Sequence, residues 1–189
     1  MSKHHKHARR SFLHRSAQLM MGGMLLPFAQ KTLASLPASL PNARSLAFKH
    51  THTGEQIDLA YAIDGSYVPD ALISLNRFLR DHYTGEIGRI DPQLLDLLHH
   101  LKLTLGCSDP FHVISGYRCP ATNQNLKNTR GGGVAKHSLH MDGKAIDLRL
   151  PEIPLAEVRD AALSLRLGGV GYYPHEQFVH VDTGRIRHW

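Results

Sequence analysis

The hydrophobic and polar positions along the chain first predict a series of β-strands. Ser45–His50 and Gln56–Tyr61 alternate apolar with polar side chains, and Gly54 lies in the short connection between them, which indicates a β-hairpin. Five more segments are predicted to be strands, namely Phe111–Ile114, Lys144–Leu150, Val170–Tyr173, Phe178–Asp182 and Arg185–Trp189. Strands therefore dominate the second half of the chain.

Helical spacing of apolar residues predicts four helices. Pro69 opens a pattern whose apolar residues recur on one face, and Asp91 caps a second helix that has Pro92 at its first position and ends at Gly106. Two further helices are predicted at Pro120–Lys127 and Pro154–Leu165. The order of these elements predicts a single α+β domain over residues 45–189, with an antiparallel sheet and flanking helices.

The positive charge of the chain is concentrated at its N-terminus. The chain has 189 residues, with 22 Lys and Arg against 16 Asp and Glu, which gives a formal net charge of +6. Residues 1–50 hold eight of these basic residues and no acidic residue, so the rest of the chain is close to neutral. No nucleic-acid partner is therefore expected, because the predicted domain has no basic excess of its own.

The N-terminal region has the residue order of a secretory signal. Its first residues are polar and basic, Ala17–Ala29 is uncharged and mostly apolar, and small residues and prolines follow. The pair Arg9-Arg10, followed by one polar and two apolar residues, resembles the twin-arginine motif. We expect an export signal over residues 1–36, a linker over 37–44, the twin-arginine export machinery as partner and the periplasm as destination. No stable membrane span is expected after processing, because about 20 apolar residues are needed to cross a bilayer.

The chain has two cysteines, Cys107 and Cys119. In an oxidising compartment, two cysteines at this spacing can form a disulfide, and two separate thiols are the alternative. Because the sequence has no Cys-x-x-Cys motif, a zinc site built on cysteines is excluded.

Histidine and aspartate residues offer a different metal site in the second half of the chain. His140 and Asp147 are too far apart to be neighbouring ligands on one strand, but a bend at Gly143 can bring them together. His180, on another predicted strand, is the candidate third ligand. Two histidines and one carboxylate leave a fourth position for water, as in catalytic zinc sites. The chain has fifteen histidines, so spacing alone leaves surface and core roles open for each of them.

The motif Ser-x-His-x-x-Gly-x-Ala-x-Asp over residues 138–147 resembles the first zinc motif of the D-Ala-D-Ala metallopeptidase superfamily, which includes lysostaphin-type enzymes and hedgehog domains. The resemblance covers residues 45–189 and is specific to the branch of murein endopeptidase K. Four further segments share this resemblance, namely Ser115–Arg118, Gly169–Tyr173, Phe178–Gly184 and His188-Trp189. It implies the zinc peptidase fold of this superfamily, with one zinc ion bound by His140, Asp147 and His180.

The resemblance also implies roles for residues around the metal. Arg118 matches an arginine that faces the substrate carbonyl or carboxylate, where a fixed guanidinium stabilises the oxyanion of a tetrahedral intermediate. Ser138, beside the first ligand, is expected to bind substrate or orient its loop. Tyr117 is expected to help form a groove for the substrate, together with Tyr172, Tyr173 and Trp189; packing in the core is the alternative for these aromatic side chains.

The general base is the point at which this sequence departs from the superfamily. Many relatives carry Glu three residues before the last histidine ligand, where this chain has Gln177, which cannot accept a proton. Glu176 is one residue away, and on a strand it would point to the opposite face. Asp182, two residues beyond His180, is expected to be either the catalytic base or the carboxylate that fixes the tautomer of a ligand histidine. His137 and His175 are further candidates for moving the proton, ranked below Asp182.

These features together predict a zinc-dependent murein endopeptidase that hydrolyses peptide cross-links of peptidoglycan while the cell wall is enlarged or remodelled. The branch resemblance favours the 3-3 cross-link between two diaminopimelate residues. Two alternatives stay open. The first is a carboxypeptidase that trims terminal D-alanine from stem peptides, and the second is a non-catalytic, zinc-containing module that binds peptidoglycan.

Overall fold

The computed structural model describes residues 42–129 and 135–189. The predicted export signal lies outside these residues, as do residues 37–41 of the predicted linker. The described residues form four α-helices, one short 3₁₀ helix and one sheet of eight strands. Within these described ranges, no helix combines the length and the apolar character needed to cross a membrane.

The elements follow the predicted order closely. The strands are β1 (Ala43–His50), β2 (Gln56–Ile63), β3 (Ser66–Tyr67), β4 (Phe111–Ser115), β5 (Ala145–Arg149), β6 (Gly169–Tyr173), β7 (Phe178–Asp182) and β8 (Arg187–His188). The helices are α1 (Pro69–Phe78), α2 (Pro92–Leu105), α3 (Pro120–Thr129) and α4 (Leu155–Leu165), and Leu139–Asp142 forms the 3₁₀ helix. The predicted α+β class is confirmed.

The sheet has the strand order β3-β2-β1-β4-β5-β7-β6-β8. Most neighbours are antiparallel, as predicted, but β1 pairs with β4 and β6 pairs with β8 in parallel. The parallel β1–β4 pairing joins the early hairpin to the later strands, so the described strands form one sheet. The sequence did not predict β3, and β8 is shorter than the predicted strand Arg185–Trp189.

Helix α2 shows how the sequence fixes the core. The Asp91 side chain accepts a hydrogen bond from the Gln93 backbone at 3.0 Å, and Gly106 ends the helix in the left-handed conformation, as the two signals predict. Five of its leucines are buried, namely Leu94, Leu95, Leu97, Leu98 and Leu101. Burial of each such side chain contributes about 1.5–3 kcal/mol, so α2 is a main source of the domain's stability.

Alternation along β5 and β7 separates the core from the opposite face of the sheet. Val179 and Val181 of β7 belong to the hydrophobic core, as does Ile146 of β5. Successive side chains of a strand point to opposite faces, so His180 and Asp147 lie on the other face. These two residues are also paired directly across the two antiparallel strands. The sheet thereby brings two of the three predicted ligands side by side.

The two cysteines are free thiols, so the alternative without a disulfide applies. Cys119 is buried beside Thr122 and Thr84, whereas Cys107 is partly exposed and lies near Asp109.

Candidate metal centre

Three predicted ligands meet on the face of β5 and β7 that points away from the core. Nε2 of His140 lies 3.2 Å from Nδ1 of His180 and 3.3 Å from Oδ1 of Asp147. Nδ1 of His180 lies 2.8 Å from the same oxygen of Asp147. Four-coordinate zinc holds N and O ligands at about 2.0–2.2 Å, which spaces the ligand atoms by roughly 3.3–3.6 Å. The observed triangle is close to this spacing, so these three atoms can hold one metal ion.

The bend at Gly143 brings His140 toward Asp147, as its position between them predicts. The 3₁₀ helix that carries His140 ends at Gly143, whose φ is +66°, in the left-handed region that favours glycine. A Cβ atom at this position would also overlap the carbonyl oxygen of Arg89. The chain can therefore turn into β5 here only because the residue is glycine.

A hydrogen bond fixes the tautomer of His140. Its Nδ1 lies 2.7 Å from the carbonyl oxygen of Gly116, and a carbonyl oxygen can only accept a hydrogen bond. Nδ1 therefore carries the proton, and the lone pair of Nε2 points toward Asp147 and His180. The backbone N–H of Arg118 donates in turn to the carbonyl of His140, which ties the loop after β4 to this ligand.

His180 is held in a similar way by a carboxylate. Its Nε2 lies 3.0 Å from Oδ2 of Asp182, which accepts the hydrogen bond. With a metal ion in place of a proton, the remaining nitrogen, Nδ1, would direct its lone pair toward the site shared with Asp147 and His140. Such partners behind a ligand histidine fix its ring orientation and raise its basicity as a metal ligand.

The chemistry of the converging atoms indicates whether these residues fit a metal ion. Two imidazole nitrogens and one carboxylate oxygen converge within 3.3 Å, and all three residues are buried. Three electron-pair donors repel one another unless a cation or a proton lies among them. The donor set of two imidazoles and a carboxylate suits zinc and similar divalent metals, so the residues present fit the metal.

The pKa values of the cluster have the same physical origin. Burial lowers the pKa of His140, and the neighbouring charge of Asp147 opposes this shift. Burial would also lower the pKa of His180, but hydrogen bonds to Asp147 and Asp182 raise it to about 9. Burial acts to raise the pKa of Asp147, yet attraction and hydrogen bonding from the two histidines hold it well below its usual range. The cluster therefore keeps an ionised carboxylate that attracts positive charge.

Asp182 lies behind His180, on the side of the ring away from the other two ligands. Its carboxylate is fully buried and accepts hydrogen bonds from His180 and Arg187 and from the backbone N–H groups of Gly169 and Gly184. Burial would raise the pKa of Asp182, but these donors hold it well below its usual range. Of the two roles expected for Asp182, these contacts favour the orienting role over that of general base.

Arg118 lies beside the cluster. Its Nη2 is 3.5 Å from Oδ2 of Asp147 and 3.4 Å from the hydroxyl of Ser115. The side chain is only 13 % exposed, so its position is set by the surrounding loop. A guanidinium in this position can face an anionic oxygen that approaches the cluster.

A groove of about 850 Å³ opens over the cluster. Its described lining includes the three ligand residues together with Ser138, Arg118, Tyr173 and Trp189, all of which the sequence singled out. Tyr117 is not among them. Its hydroxyl donates to Glu86 at 3.0 Å and its ring packs against Gly88, so the expectation that Tyr117 contacts the substrate is not supported.

The hairpin between β6 and β7 corrects the expectation for Glu176. Residues 174–177 form a turn rather than a strand, so the alternation of strand faces does not apply to them. Gln177 has a φ of +60°, and its side-chain amide donates to the carbonyl of Pro174 within the turn. Glu176 lines the groove instead.

Sequence reasoning missed Arg187. It lines the groove and pairs with Asp182 through both of its terminal nitrogens. The only signal in the sequence was its place in the last predicted strand, which does not specify the strand that it joins.

A buried cluster of two imidazoles and one carboxylate in an open groove is a donor set of catalytic metal sites, among them those of metal-dependent peptidases. The chain belongs to the peptidase family described as "Peptidoglycan L,D-endopeptidase MepK", whose profile matches residues 38–189. It is therefore a peptidase.

Two curated relatives show the extent of the likeness. The chain is 44 % identical over 172 residues to "Peptidoglycan L,D-endopeptidase MepK" of Escherichia coli, a match that covers 90 % of this chain and 94 % of the relative. It is 38 % identical over 175 residues to "Probable peptidoglycan L,D-endopeptidase MepK" of Haemophilus influenzae, covering 90 % of this chain and 92 % of the relative. Both matches span nearly the whole of each protein.

Proposed function

We propose that this protein is a zinc-dependent endopeptidase that hydrolyses peptide cross-links of peptidoglycan during enlargement and remodelling of the cell wall. The observation that carries the proposal is the triangle of His140 Nε2, His180 Nδ1 and Asp147 Oδ1. The Gly116 carbonyl behind His140 and the Asp182 carboxylate behind His180 orient the two rings so that these nitrogens can bind one metal ion. The names of the relatives support peptidoglycan as the substrate.

His140, Asp147 and His180 hold one zinc ion in this proposal. When bound, zinc polarises the scissile carbonyl and lowers the pKa of a water molecule to about 7, which makes that water a nucleophile. Arg118 stabilises the negative charge that develops on the carbonyl oxygen, because its guanidinium is held against the cluster. Ser138 binds the peptide at the groove wall beside His140.

Proton transfer falls to a group other than Asp182, whose oxygens are occupied by four partner residues. Glu176 and His137 line the groove and do not belong to the cluster. Either side chain can take the proton of the attacking water and return it to the leaving amine. Asp182 instead holds His180 in its metal-binding tautomer.

The bond we propose is the 3-3 cross-link between two diaminopimelate residues, which the names of the relatives and the branch resemblance favour. In this link, the D-centre of one diaminopimelate carries a free carboxylate next to the scissile nitrogen. Arg118, whose guanidinium lies 3.5 Å from Asp147, can pair with that carboxylate as an alternative to the carbonyl oxygen.

We also propose that residues 1–36 are a twin-arginine signal and 37–44 a linker, and that the mature enzyme acts in the periplasm, where peptidoglycan lies. The match to the family begins at residue 38, which is consistent with a separate leader. The first described strand begins at Ala43, inside the proposed linker.

Digestion of purified peptidoglycan tests the proposal. Zinc-loaded wild-type protein, His180→Ala and His100→Ala are incubated with purified sacculi, and the released fragments are identified by mass spectrometry. We expect the wild type to open 3-3 cross-links and His180→Ala to lose about 1000-fold or more in rate. His100→Ala is the matched control, because it removes an exposed imidazole outside the groove, and it should keep the wild-type rate.

The fragments distinguish the remaining possibilities. Loss of terminal D-alanine alone indicates a carboxypeptidase, and cleavage of 4-3 links alone indicates a different endopeptidase. Failure of the zinc-loaded wild type to create any new amine or carboxyl group contradicts the proposed enzyme.

A further inference from the structure

Arg187 forms a two-point ion pair with a buried carboxylate. Its Nη1 donates to Oδ1 of Asp182 at 3.0 Å and its Nη2 donates to Oδ2 at 2.8 Å. Asp182 is fully buried, whereas the Arg187 side chain is 31 % exposed and reaches the groove. A buried carboxylate is costly unless it is paired, so Arg187 provides the charge that allows Asp182 to remain ionised in this place.

The paired carboxylate has one further task, which is to hold His180. Backbone N–H groups of Gly169 and Gly184 donate to Oδ1 of Asp182, at 3.1 and 2.8 Å. Its other oxygen, Oδ2, accepts from Nε2 of His180 at 3.0 Å. The two parallel hydrogen bonds from the Arg187 guanidinium, the arginine fork, therefore fix the plane of the Asp182 carboxylate. The carboxylate in turn fixes the orientation of the His180 imidazole.

Trp189 also contacts both Arg187 and the proposed ligand His180. The guanidinium of Arg187 lies 4.9 Å from the centre of the Trp189 ring, and that ring lies 5.3 Å from the centre of the His180 ring. The indole N–H donates to the hydroxyl of Tyr173 at 2.7 Å, and a Cβ at Gly171 would overlap the indole. The indole is therefore fixed between Arg187 and the face of His180.

We propose that Arg187 is a positioning residue for the metal ligand His180, which it orients through Asp182 and through Trp189. This inference rests on the proposed function, because it assigns a role in the metal centre described there. Without the two hydrogen bonds from Arg187, only the two backbone N–H groups and His180 itself hold the carboxylate. The carboxylate can then rotate, and the imidazole loses its fixed direction. Zinc is then held more weakly and in a less regular geometry.

Zinc affinity of four full-length proteins tests this role. Wild type, Arg187→Gln, Arg187→Lys and Arg185→Gln are compared by competition with a chromophoric chelator. Arg185→Gln is the matched control, because it removes the same charge from the same exposed tail, while only the backbone carbonyl of Arg185 contacts Arg187. We expect Arg187→Gln to bind zinc about 10–100-fold more weakly than the wild type. Arg187→Lys, which keeps the charge but not the fork, should fall between them, and Arg185→Gln should match the wild type.

Cobalt substitution gives a readout that a purely structural role would not change. The visible absorption of bound Co²⁺ reports the geometry of its ligands, and we expect an altered band in Arg187→Gln but not in Arg185→Gln. Thermal unfolding of the metal-free proteins shows whether each variant is folded. If Arg187→Gln is not folded, the zinc affinity and the cobalt spectrum of Arg187→Lys test the positioning role.

Two results would overturn the inference. A folded Arg187 variant with wild-type zinc affinity and an unchanged cobalt spectrum removes the positioning role and leaves the proposed peptidase intact. A wild-type protein that binds no zinc contradicts the metal centre itself, and the positioning role fails with it.

Discussion

At the scale of single residues, the metal centre depends on what lies behind each ligand. A carbonyl oxygen holds the far nitrogen of His140, and a carboxylate oxygen holds that of His180. Each acceptor turns the other ring nitrogen toward Asp147, so the three proposed ligands are oriented without an ion. Because the side chains are already ordered, metal binding loses less conformational entropy, which favours binding.

The variant Asp182→Asn separates the two roles that the sequence left open for Asp182. If Asp182 orients His180, the variant should bind zinc about 10–100-fold more weakly, and saturating zinc should restore much of its activity. If Asp182 is the general base, zinc affinity should stay at the wild-type value while the rate falls at every zinc concentration. Chelator competition and the rate of muropeptide cleavage across a zinc titration measure the two quantities. We expect the first pattern.

At the scale of elements, the bend between the 3₁₀ helix and β5 sets the distance between two ligands. Gly143→Ala should lower the free energy of unfolding by about 1–3 kcal/mol or more, because it combines a strained φ with overlap against Arg89. It should also weaken zinc binding, because His140 must move with the bend. Urea unfolding and chelator competition measure these effects.

Gly54→Ala is the control for this variant. Gly54 has a φ of +74° in the hairpin between β1 and β2, but an added Cβ meets nothing within 4 Å there. It should lose stability from backbone strain alone and keep wild-type zinc affinity. Equal zinc affinity in Gly143→Ala and wild type would contradict the role of the bend.

A second group of histidines, at the end of β1 and the loop after α1, should make the fold sensitive to acid. The rings of His52 and His82 are stacked with centres 4.3 Å apart, and the centre of the His50 ring lies 5.5 Å from that of His82. Burial, together with the neighbouring imidazoles, lowers the pKa of His50 and of His82 to about 4. In the unfolded chain their pKa is about 6.5.

Between pH 6.5 and 4 the unfolded chain therefore binds more protons than the folded protein does. The free energy of unfolding should be at its full value above pH 6.5 and fall as the pH decreases toward 4, by at most about 1.4 kcal/mol per pH unit for each histidine. Urea unfolding at several pH values should show a smaller slope in His82→Gln than in the wild type. His100→Gln, which changes an exposed histidine, should keep the wild-type slope; an unchanged slope in His82→Gln would refute the assignment.

The sequence predicted most elements because their signals are local. Caps such as Asp91, turn glycines such as Gly106 and the period of apolar residues act within a few positions, and the structure keeps them. Arg187 was missed because its partner depends on the parallel pairing of β8 with β6, which no local pattern encodes. Tyr117 lies outside the described groove lining for a similar reason, since its direction is set by packing against the loop that carries Gly88 and Glu86.

At the scale of the whole molecule, the two faces of the sheet have different roles: one packs against the core and the other carries the candidate site. One face of β5 and β7 is covered by the hydrophobic core, and the other presents the three ligands to an open groove. The substrate can therefore reach the ligands without any opening of the core. A cross-linked peptide is long and branched, and an open groove suits it better than an enclosed pocket.

The proposed leader adds a prediction about where the protein acts. Replacement of Arg9 and Arg10 by lysine should stop export, because the twin-arginine pair is the motif that the export machinery recognises. The fraction of the protein in the periplasm, measured by cell fractionation and immunoblotting, should fall to background. Arg15→Lys, outside the pair, should be exported normally; export of the double variant at the wild-type level would refute the twin-arginine route.

The central claim is that one zinc ion in the His140–Asp147–His180 cluster supports cleavage of a peptidoglycan cross-link. The most direct measurement adds zinc stepwise to metal-stripped protein and follows cleavage of a purified 3-3 cross-linked muropeptide dimer by mass spectrometry. Activity should be absent without metal, rise in proportion to added zinc and reach its plateau at one equivalent per chain. Cleavage by the metal-stripped protein at the full rate, or no cleavage at any zinc concentration, would contradict the account.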